Sequence, residues 1–193
     1  MPDKRERHIL ITGFGGQGIV MAGDILGKAA TLYDHKHATM TQNYGPEARG
    51  GACSSQVIIS SEEILFPCVE EPEILVCMSQ EAYTKNIKSL RPGGTFIWDT
   101  DLVHTRKTDT TYKSFNIPAT RFAEQLGTKM MANIVMLGFL SAVEPLVHAE
   151  ALKKAVLESV PAATRDNNLR AFNKGREYGH SVLKEQARPE PAV

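Results

Sequence analysis

The chain is poor in cysteine, has no surplus charge of either sign and contains no long apolar run. Its three cysteines, Cys53, Cys68 and Cys77, are odd in number and form no Cys-x-x-Cys. Neither a disulfide framework nor a four-cysteine iron–sulfur or zinc site can be built from this chain alone; small thiols in a reducing compartment are the reading that remains. Lys plus Arg and Asp plus Glu each number 22, for a formal net charge of zero. The basic excess of a dedicated nucleic-acid binder is therefore missing. A chain without net charge does not repel other chains, which suits a subunit. The uncharged, mostly apolar stretch Met130 to Val143 has 14 residues, short of the roughly 20 that span a bilayer. The charged start, Met1 to Arg7, leads into no signal-peptide core. No membrane association and a cytoplasmic location are expected. No Ser-His-Asp, Cys-His or His-Glu-x-x-His constellation is present, no paired carboxylates stand out, and the six histidines lack metal-ligand spacing. No catalytic residue and no metal site are expected.

What is present is an ordinary globular composition over 193 residues, with 42% apolar and 23% charged residues. A single domain over 1–193 is expected, with an ordered core of about 8–185. His8 to Thr12 reads as a buried strand, followed by Gly13-Phe14-Gly15-Gly16-Gln17-Gly18 and a helix to about Tyr33. A second strand is expected over Lys36 to Thr41 and a loop over Asn43 to Gly51. Cys53 to Ser60 and Glu63 to Phe66 suggest an antiparallel pair turning at Ser60-Ser61-Glu62. Further strands are expected at Ile74 to Met78, Thr95 to Trp98 and Tyr112 to Ile117. A helix capped by Ser79 runs between the first two of these and stops at Arg91-Pro92-Gly93-Gly94. The last third reads as helices over 119–126, 131–143, 149–160 and 165–183, the last burying Leu169, Phe172, Gly179, Val182 and Leu183. The fold class is α/β: a mixed, mostly parallel sheet flanked by helices, a Rossmann-like first unit and a helical C-terminal third.

Gly13-x-Gly15-x-x-Gly18 matches the dinucleotide fingerprint in its required strand–turn–helix context, and a helix N-terminus offers unpaired N–H groups to an anion. The fingerprint also wants an acidic residue at the end of the second strand. That strand ends in Thr41-Gln42-Asn43, and Asp34, at the right sequence distance, lies before it. NAD binding, binding of another phosphate, and glycines that merely allow close strand–helix packing remain three open readings. Asp99-Thr100-Asp101, after a strand, is read as turn chemistry ahead of a metal or ribose site. Asn133, inside an apolar helix, is read as a satisfied, structure-specifying residue. Arg106-Lys107 is read as a solvated pair.

Two motifs in order carry more weight. The glycine loop is followed by Tyr44-Gly45-Pro46-Glu47-Ala48-Arg49-Gly50-Gly51, then by Val57-Ile58-Ile59-Ser60, Pro67, Asn133 with Leu137-Gly138, and Asn168-Leu169-x-Ala171-Phe172-x-x-Gly175. This ordered set, over roughly residues 8–183, resembles the gamma subunit or gamma domain of the 2-oxoacid:ferredoxin oxidoreductases. The resemblance implies a multi-subunit enzyme that oxidatively decarboxylates a 2-oxoacid with coenzyme A and passes electrons to ferredoxin. It implies alpha, beta and ferredoxin-like delta partners, and a complex using thiamine diphosphate, magnesium, iron–sulfur clusters and coenzyme A, none bound by this chain alone. The indolepyruvate branch typically carries His-Gly-x-x-Gln-Arg-Gly-Gly where this chain has Tyr44 to Gly51; the pattern here looks like the 2-oxoglutarate and branched-chain enzymes, and 2-oxoglutarate is chosen over pyruvate or 2-oxoisovalerate. The role expected is assembly, with Gly13, Gly15, Gly16 and Gly18 as a phosphate or coenzyme A loop and Tyr44, Pro46, Glu47, Arg49, Gly50 and Gly51 as a subunit contact. The rival is a stand-alone Rossmann-like nucleotide-binding or sensor protein.

Overall fold

The computed structural model describes residues 6–45, 50–105 and 111–187. Pro46, Glu47 and Arg49 of the expected contact loop, and the Arg106-Lys107 pair, lie outside them.

Six strands form one sheet: β1 (Glu6–Phe14), β2 (His37–Tyr44), β3 (Ala52–Ser60), β4 (Ile74–Cys77), β5 (Thr95–Asp99) and β6 (Lys113–Ile117). Their order is β2-β3-β1-β4-β5-β6. The β1, β4, β5 and β6 side is parallel, whereas β3 runs antiparallel to both β1 and β2. The helices are α1 (Ile19–Lys28), α2 (Gln80–Asn86), α3 (Ala119–Gln125), α4 (Ala132–Val143), α5 (Ala149–Ser159) and α6 (Arg165–Gln186). α1 continues through a π-helical turn, Ala29–Tyr33.

Alternation along β1 sorts the two layers. Ile9 and Ile11 join a large core with α1, α4, α5 and α6; Leu10 joins a smaller one with Leu75, Cys77, Ala82 and Phe96 under α2. All twelve residues of α4 are buried, which is why its sequence is apolar all round. Ser79 caps α2 as expected, its hydroxyl accepting from the Ala82 N–H at 3.1 Å. No helix among the described residues is long and apolar enough to cross a membrane.

Four details differ from the sequence reading. Glu63 to Phe66 is not a strand: Leu65 and Phe66 are exposed, and β3 pairs instead with β1 and β2. β2 runs three residues past Thr41, because a half-exposed edge strand needs no apolar pattern to pair. The loop before β3 is shortened accordingly. The buried stripe of α6 is Asn168, Ala171, Phe172, Gly175 and Gly179; Leu169 is only partly covered, and Val182 and Leu183 pack at the margin of the core. Small residues hold that stripe because α6 lies directly on the α4 backbone.

Candidate functional site

β1 ends at Phe14, and the glycine loop carries the chain over the carboxyl ends of the strands into α1. Each glycine has its own cause. A Cβ on Gly13 would stand 2.7 Å from Ile19 Cδ1, and one on Gly18 would stand 2.8 Å from Asn133 Cγ. Gly18 also sits at φ 71°, a left-handed conformation that favours glycine. These two positions are set by packing. Gly15 and Gly16 are different: a Cβ on Gly15 would make only ordinary contact with Gly50, and nothing lies within 4 Å of one on Gly16, whose φ is 94°.

Gln17 fills the place a ligand would take in a doubly wound sheet. α1 and α2 pack on opposite faces, so the direction of winding reverses between β1 and β4, and the crevice beyond those two strand ends is where such folds bind ligands. The Gln17 Oε1 accepts from the Phe14 N–H at 2.6 Å, and its Nε2 donates to the Met78 carbonyl at 2.7 Å. The side chain thereby ties the ends of β1 and β4 together. Asn133 at the start of α4 donates to the Gly18 carbonyl at 3.2 Å and accepts from the Ile134 N–H at 2.9 Å, the satisfied role expected of it.

The two sequence motifs meet here. The Gly15 N–H donates to the Gly51 carbonyl at 2.9 Å, so Gly50 and Gly51 lie against the glycine loop. Tyr44, at the end of β2, is 65% exposed. The N–H groups of Gly16 and Gly18 have no partner among the described residues, leaving donors at the amino end of α1.

Among the described residues, no acidic residue stands at the end of β2 where a dinucleotide needs one. β3 stands between β1 and β2, which moves the end of β2 two strands away from the loop. Asp34 lies at the opposite, amino end of β2. It pairs with Lys36 at 2.9 Å and accepts from the backbone and ring of His148, bracing α5. Burial opposes its ionisation, but these partners hold its carboxyl below the ordinary range.

Asp99, Cys77 and Cys53 are buried within the fold. Asp99 is buried, and burial raises its pKa. Its carboxylate accepts from the Asp101 N–H (3.0 Å), the Thr120 N–H (2.8 Å) and the Thr120 hydroxyl (2.6 Å). It thus takes the capping part that Pro118 cannot play for α3. Burial pushes the Cys77 thiol up to about 12 and also raises Cys53. Cys53 belongs to one core, Cys77 to the other, and Cys68 is exposed. No three His, Cys, Asp or Glu side chains among the described residues converge to hold a metal.

Two features were not legible in the sequence. At the amino ends of the strands, a cleft of about 570 Å³ is rimmed by an ion-pair network. Arg7 donates to Glu73 at 2.7 Å and to Glu144 at 2.9 Å, and Arg91 also binds Glu73. At the carboxyl end, a polar cleft of about 320 Å³ runs beside Gly13 between Thr12, Asn43, Ser54, Gln56 and Lys85. It exists because α2 is short and leaves that part of the sheet uncovered. Residues distant in sequence build both clefts.

Known proteins share this fold. A family model described as pyruvate ferredoxin/flavodoxin oxidoreductase matches residues 8–178. The chain is 51% identical to 2-oxoglutarate synthase subunit KorC of Methanocaldococcus jannaschii, over 93% of this chain and 97% of that one. A keto/oxoacid ferredoxin oxidoreductase gamma subunit from Geobacter sulfurreducens superposes with a TM-score of 0.80 at 39% identity, covering 91% of this chain and 99% of that one. A 2-oxoglutarate:ferredoxin oxidoreductase from Magnetococcus marinus, solved with 2-oxoglutarate, coenzyme A and succinyl-CoA bound, shares the fold: the TM-score is 0.85 at 23% identity, over 93% of this chain and 32% of that one.

Proposed function

We propose a role that starts from family membership: the chain belongs to the pyruvate ferredoxin/flavodoxin oxidoreductase family and is a gamma subunit of a multi-subunit 2-oxoacid:ferredoxin oxidoreductase. Its complex takes 2-oxoglutarate, coenzyme A and ferredoxin as substrates, forming succinyl-CoA and CO2 in the cytoplasm with alpha, beta and delta partners. The observation that carries the choice of oxoacid is the end-to-end 51% identity to a 2-oxoglutarate synthase subunit.

The residues of this chain do not fit the redox cofactors. Its three cysteines face two different cores and solvent, which is no cage for a cluster. Thiamine diphosphate, magnesium and iron–sulfur chemistry therefore belong to the partners, and this subunit contributes assembly and the wall of a substrate site. The glycine loop supports a part in holding a phosphate of coenzyme A: Gly16 faces open space in a left-handed conformation, and donors stand free at the amino end of α1. The segment Tyr44 to Gly51 is its subunit contact. Exposed Tyr44 and the docking of Gly51 on the loop support this, since aromatic and arginine side chains dominate contact hot spots. The stand-alone nucleotide-binding reading has little room, because Gln17 fills the crevice.

Co-expression with the partner subunits tests the role. The purified chain alone should not reduce a viologen dye with 2-oxoglutarate and coenzyme A, while the co-purified complex should. Activity from the single chain, or failure to co-purify, would refute it.

A further inference from the structure

Four cations, Arg7, Lys36, Arg91 and Lys113, and two carboxylates, Glu73 and Glu144, line the cleft of about 570 Å³ at the amino ends of the strands. Strand register sets how they face. Arg7 pairs with Ile59, a residue of the large core, and Lys113 pairs with Thr95, whose hydroxyl bonds Glu144. Paired residues share a face of the sheet, so Arg7, Thr95 and Lys113 all stand on the side of α4. Each carboxylate oxygen there is taken. Glu73 accepts from Arg7 at 2.7 Å with one oxygen and from Arg91 with the other; Glu144 accepts from Arg7 at 2.9 Å and from Thr95. Lys36 is also engaged, donating to the Leu146 carbonyl at 2.7 Å and pairing with Asp34. The donors are not exhausted. A guanidinium carries five N–H groups, of which Arg7 spends two and Arg91 one on these bonds. Lys113 is exposed, and its ammonium has no partner among the described residues.

We propose that this cleft is a ligand site of its own, taking a small phosphate ester at the end of the sheet opposite the glycine loop.

The chemistry of the ligand follows from that imbalance. A group with donors to offer finds the carboxylates occupied, whereas an acceptor-only anion finds N–H groups that bond nothing else. Carboxylate and phosphate are such anions. The placement of the cations separates them. Arg7 comes from β1, Arg91 from the turn before β5, and Lys113 from β6. A planar carboxylate is served by one arginine fork, whereas a tetrahedral phosphate turns oxygens to three sides and carries up to two charges. Glu73 holds both Arg7 and Arg91, so the two guanidinium groups are set in place before a ligand arrives and lose little freedom on binding it. The volume lies within the roughly 300–1,000 Å³ of small-molecule pockets and exceeds what a bare phosphate fills. Pro92, Pro145 and Leu146 on the wall offer apolar surface to the organic remainder of an ester.

Titration of the full chain with inorganic phosphate and with glycerol 3-phosphate, at constant ionic strength and followed by amide NMR, tests the site. Saturable shifts should centre on the amides of Gly93, Gly94, Thr95 and Lys113, with the ester bound at least as tightly as phosphate. Lys113→Glu should weaken both by about tenfold or more and melt near wild type, since the lysine has no partner to lose. Lys184→Ala, at an exposed lysine on α6, should bind as wild type does. If Lys113→Glu does not fold, Lys113→Ala replaces it with the same direction expected. Absence of saturation in the millimolar range overturns the proposal, as does a Lys113 variant that binds normally. So do shifts confined to Gly16 and Gly18, which would assign the phosphate to the glycine loop, and equal binding of succinate, which would make the cleft a site for any dianion. Hydrogen exchange at the same cleft amides should also slow when glycerol 3-phosphate is added to the co-purified complex; no response there means that a partner subunit closes the cleft, and the proposal fails.

Discussion

Replacing Gly175 by alanine sets helix propensity against packing. Alanine is favoured over glycine in a helix interior by about 1 kcal/mol, so propensity alone predicts stabilisation. α6 crosses α4 at Gly175, and a Cβ there would lie 2.8 Å from the Val135 carbonyl carbon and 2.9 Å from the Phe139 nitrogen, with the Val135 oxygen closer still. All three are backbone atoms of a buried helix and cannot turn aside as a side chain can. Gly138 makes the reciprocal approach, where a Cβ would stand 2.8 Å from the Phe172 carbonyl carbon. Overpacking costs about 1–3 kcal/mol where side chains can adjust; against backbone, the upper end applies, because the helices must part. Phe139 and Phe172, at 0% and 1% exposure, would lose contact as they do. The net loss is about 2 kcal/mol, and in a chain of this length the melting temperature should fall by about 4–8 °C. Gly27→Ala is the control. Gly27 also lies inside a helix, but nothing stands within 4 Å of an added Cβ, so this variant should melt about 2–4 °C higher. Thermal unfolding by circular dichroism or calorimetry reads both. A Gly175→Ala protein as stable as wild type would refute the close crossing. The crossing matters for function because α4 presents Asn133 to the glycine loop.

Four further outcomes are expected. Burial opposes ionisation of Glu73, but bonds from Arg91 and Arg7 override it and hold the carboxyl below its ordinary 4.5; the stability it supplies is intact above that pH and is lost as pH falls through the lowered value. Denaturant titrations should show this acid limb flattened in Glu73→Gln, although Asp99, shifted upward by burial, contributes with the opposite sign; an unchanged limb would rule Glu73 out. Gly16→Val should raise the apparent KM for coenzyme A in the assembled enzyme and leave that for the oxoacid nearly unchanged, whereas equal losses or failed assembly would mean a packing role. Calorimetric titration with NADH should give no micromolar binding. Arg49→Ala should melt near wild type when alone but fail to co-purify with the partner subunits; a much lower melting point, or normal assembly, would remove the contact-loop assignment.

Local pattern revealed much of this protein, and pairing partners revealed the rest. β1, the glycine turn and α1 were legible because a β-branched run, clustered glycines and helical spacing each act within a few residues. The Ser79 cap and the self-satisfied Asn133 were legible for the same reason. The order β2-β3-β1 was not, because nothing in Ala52 to Ser60 says which strand it will join. Glu63 to Phe66 looked like its partner on β-forming residues alone. The stripe of α6 was legible at Phe172 and Gly179 but not at Asn168, Ala171 and Gly175, because large apolar residues such as Leu169, Val182 and Leu183 draw the eye away from the small residues that touch α4. The Glu73 network joins residues more than sixty positions apart, beyond any sequence window.

The same distinction explains why the fingerprint misleads. Gly13-x-Gly15-x-x-Gly18 has the spacing of a nucleotide loop, yet Gly13 and Gly18 are required by Ile19 and Asn133, neighbours within the chain itself. A dinucleotide needs an empty crevice between β1 and β4 and a carboxylate at the end of an adjacent second strand. Here the crevice holds the Gln17 amide, and the adjacent strand is the antiparallel β3. Inserting β3 moves Tyr44 and Gly51 to the carboxyl edge, where Gly51 binds Gly15. The loop therefore lies against Gly51, so a partner subunit gripping the proposed contact segment, Tyr44 to Gly51, would set the position of the loop at the same time. In this family member Gly13 and Gly18 answer to packing within the chain, and a phosphate contact at Gly16 is proposed only for the assembled enzyme, where Gly16→Val tests it.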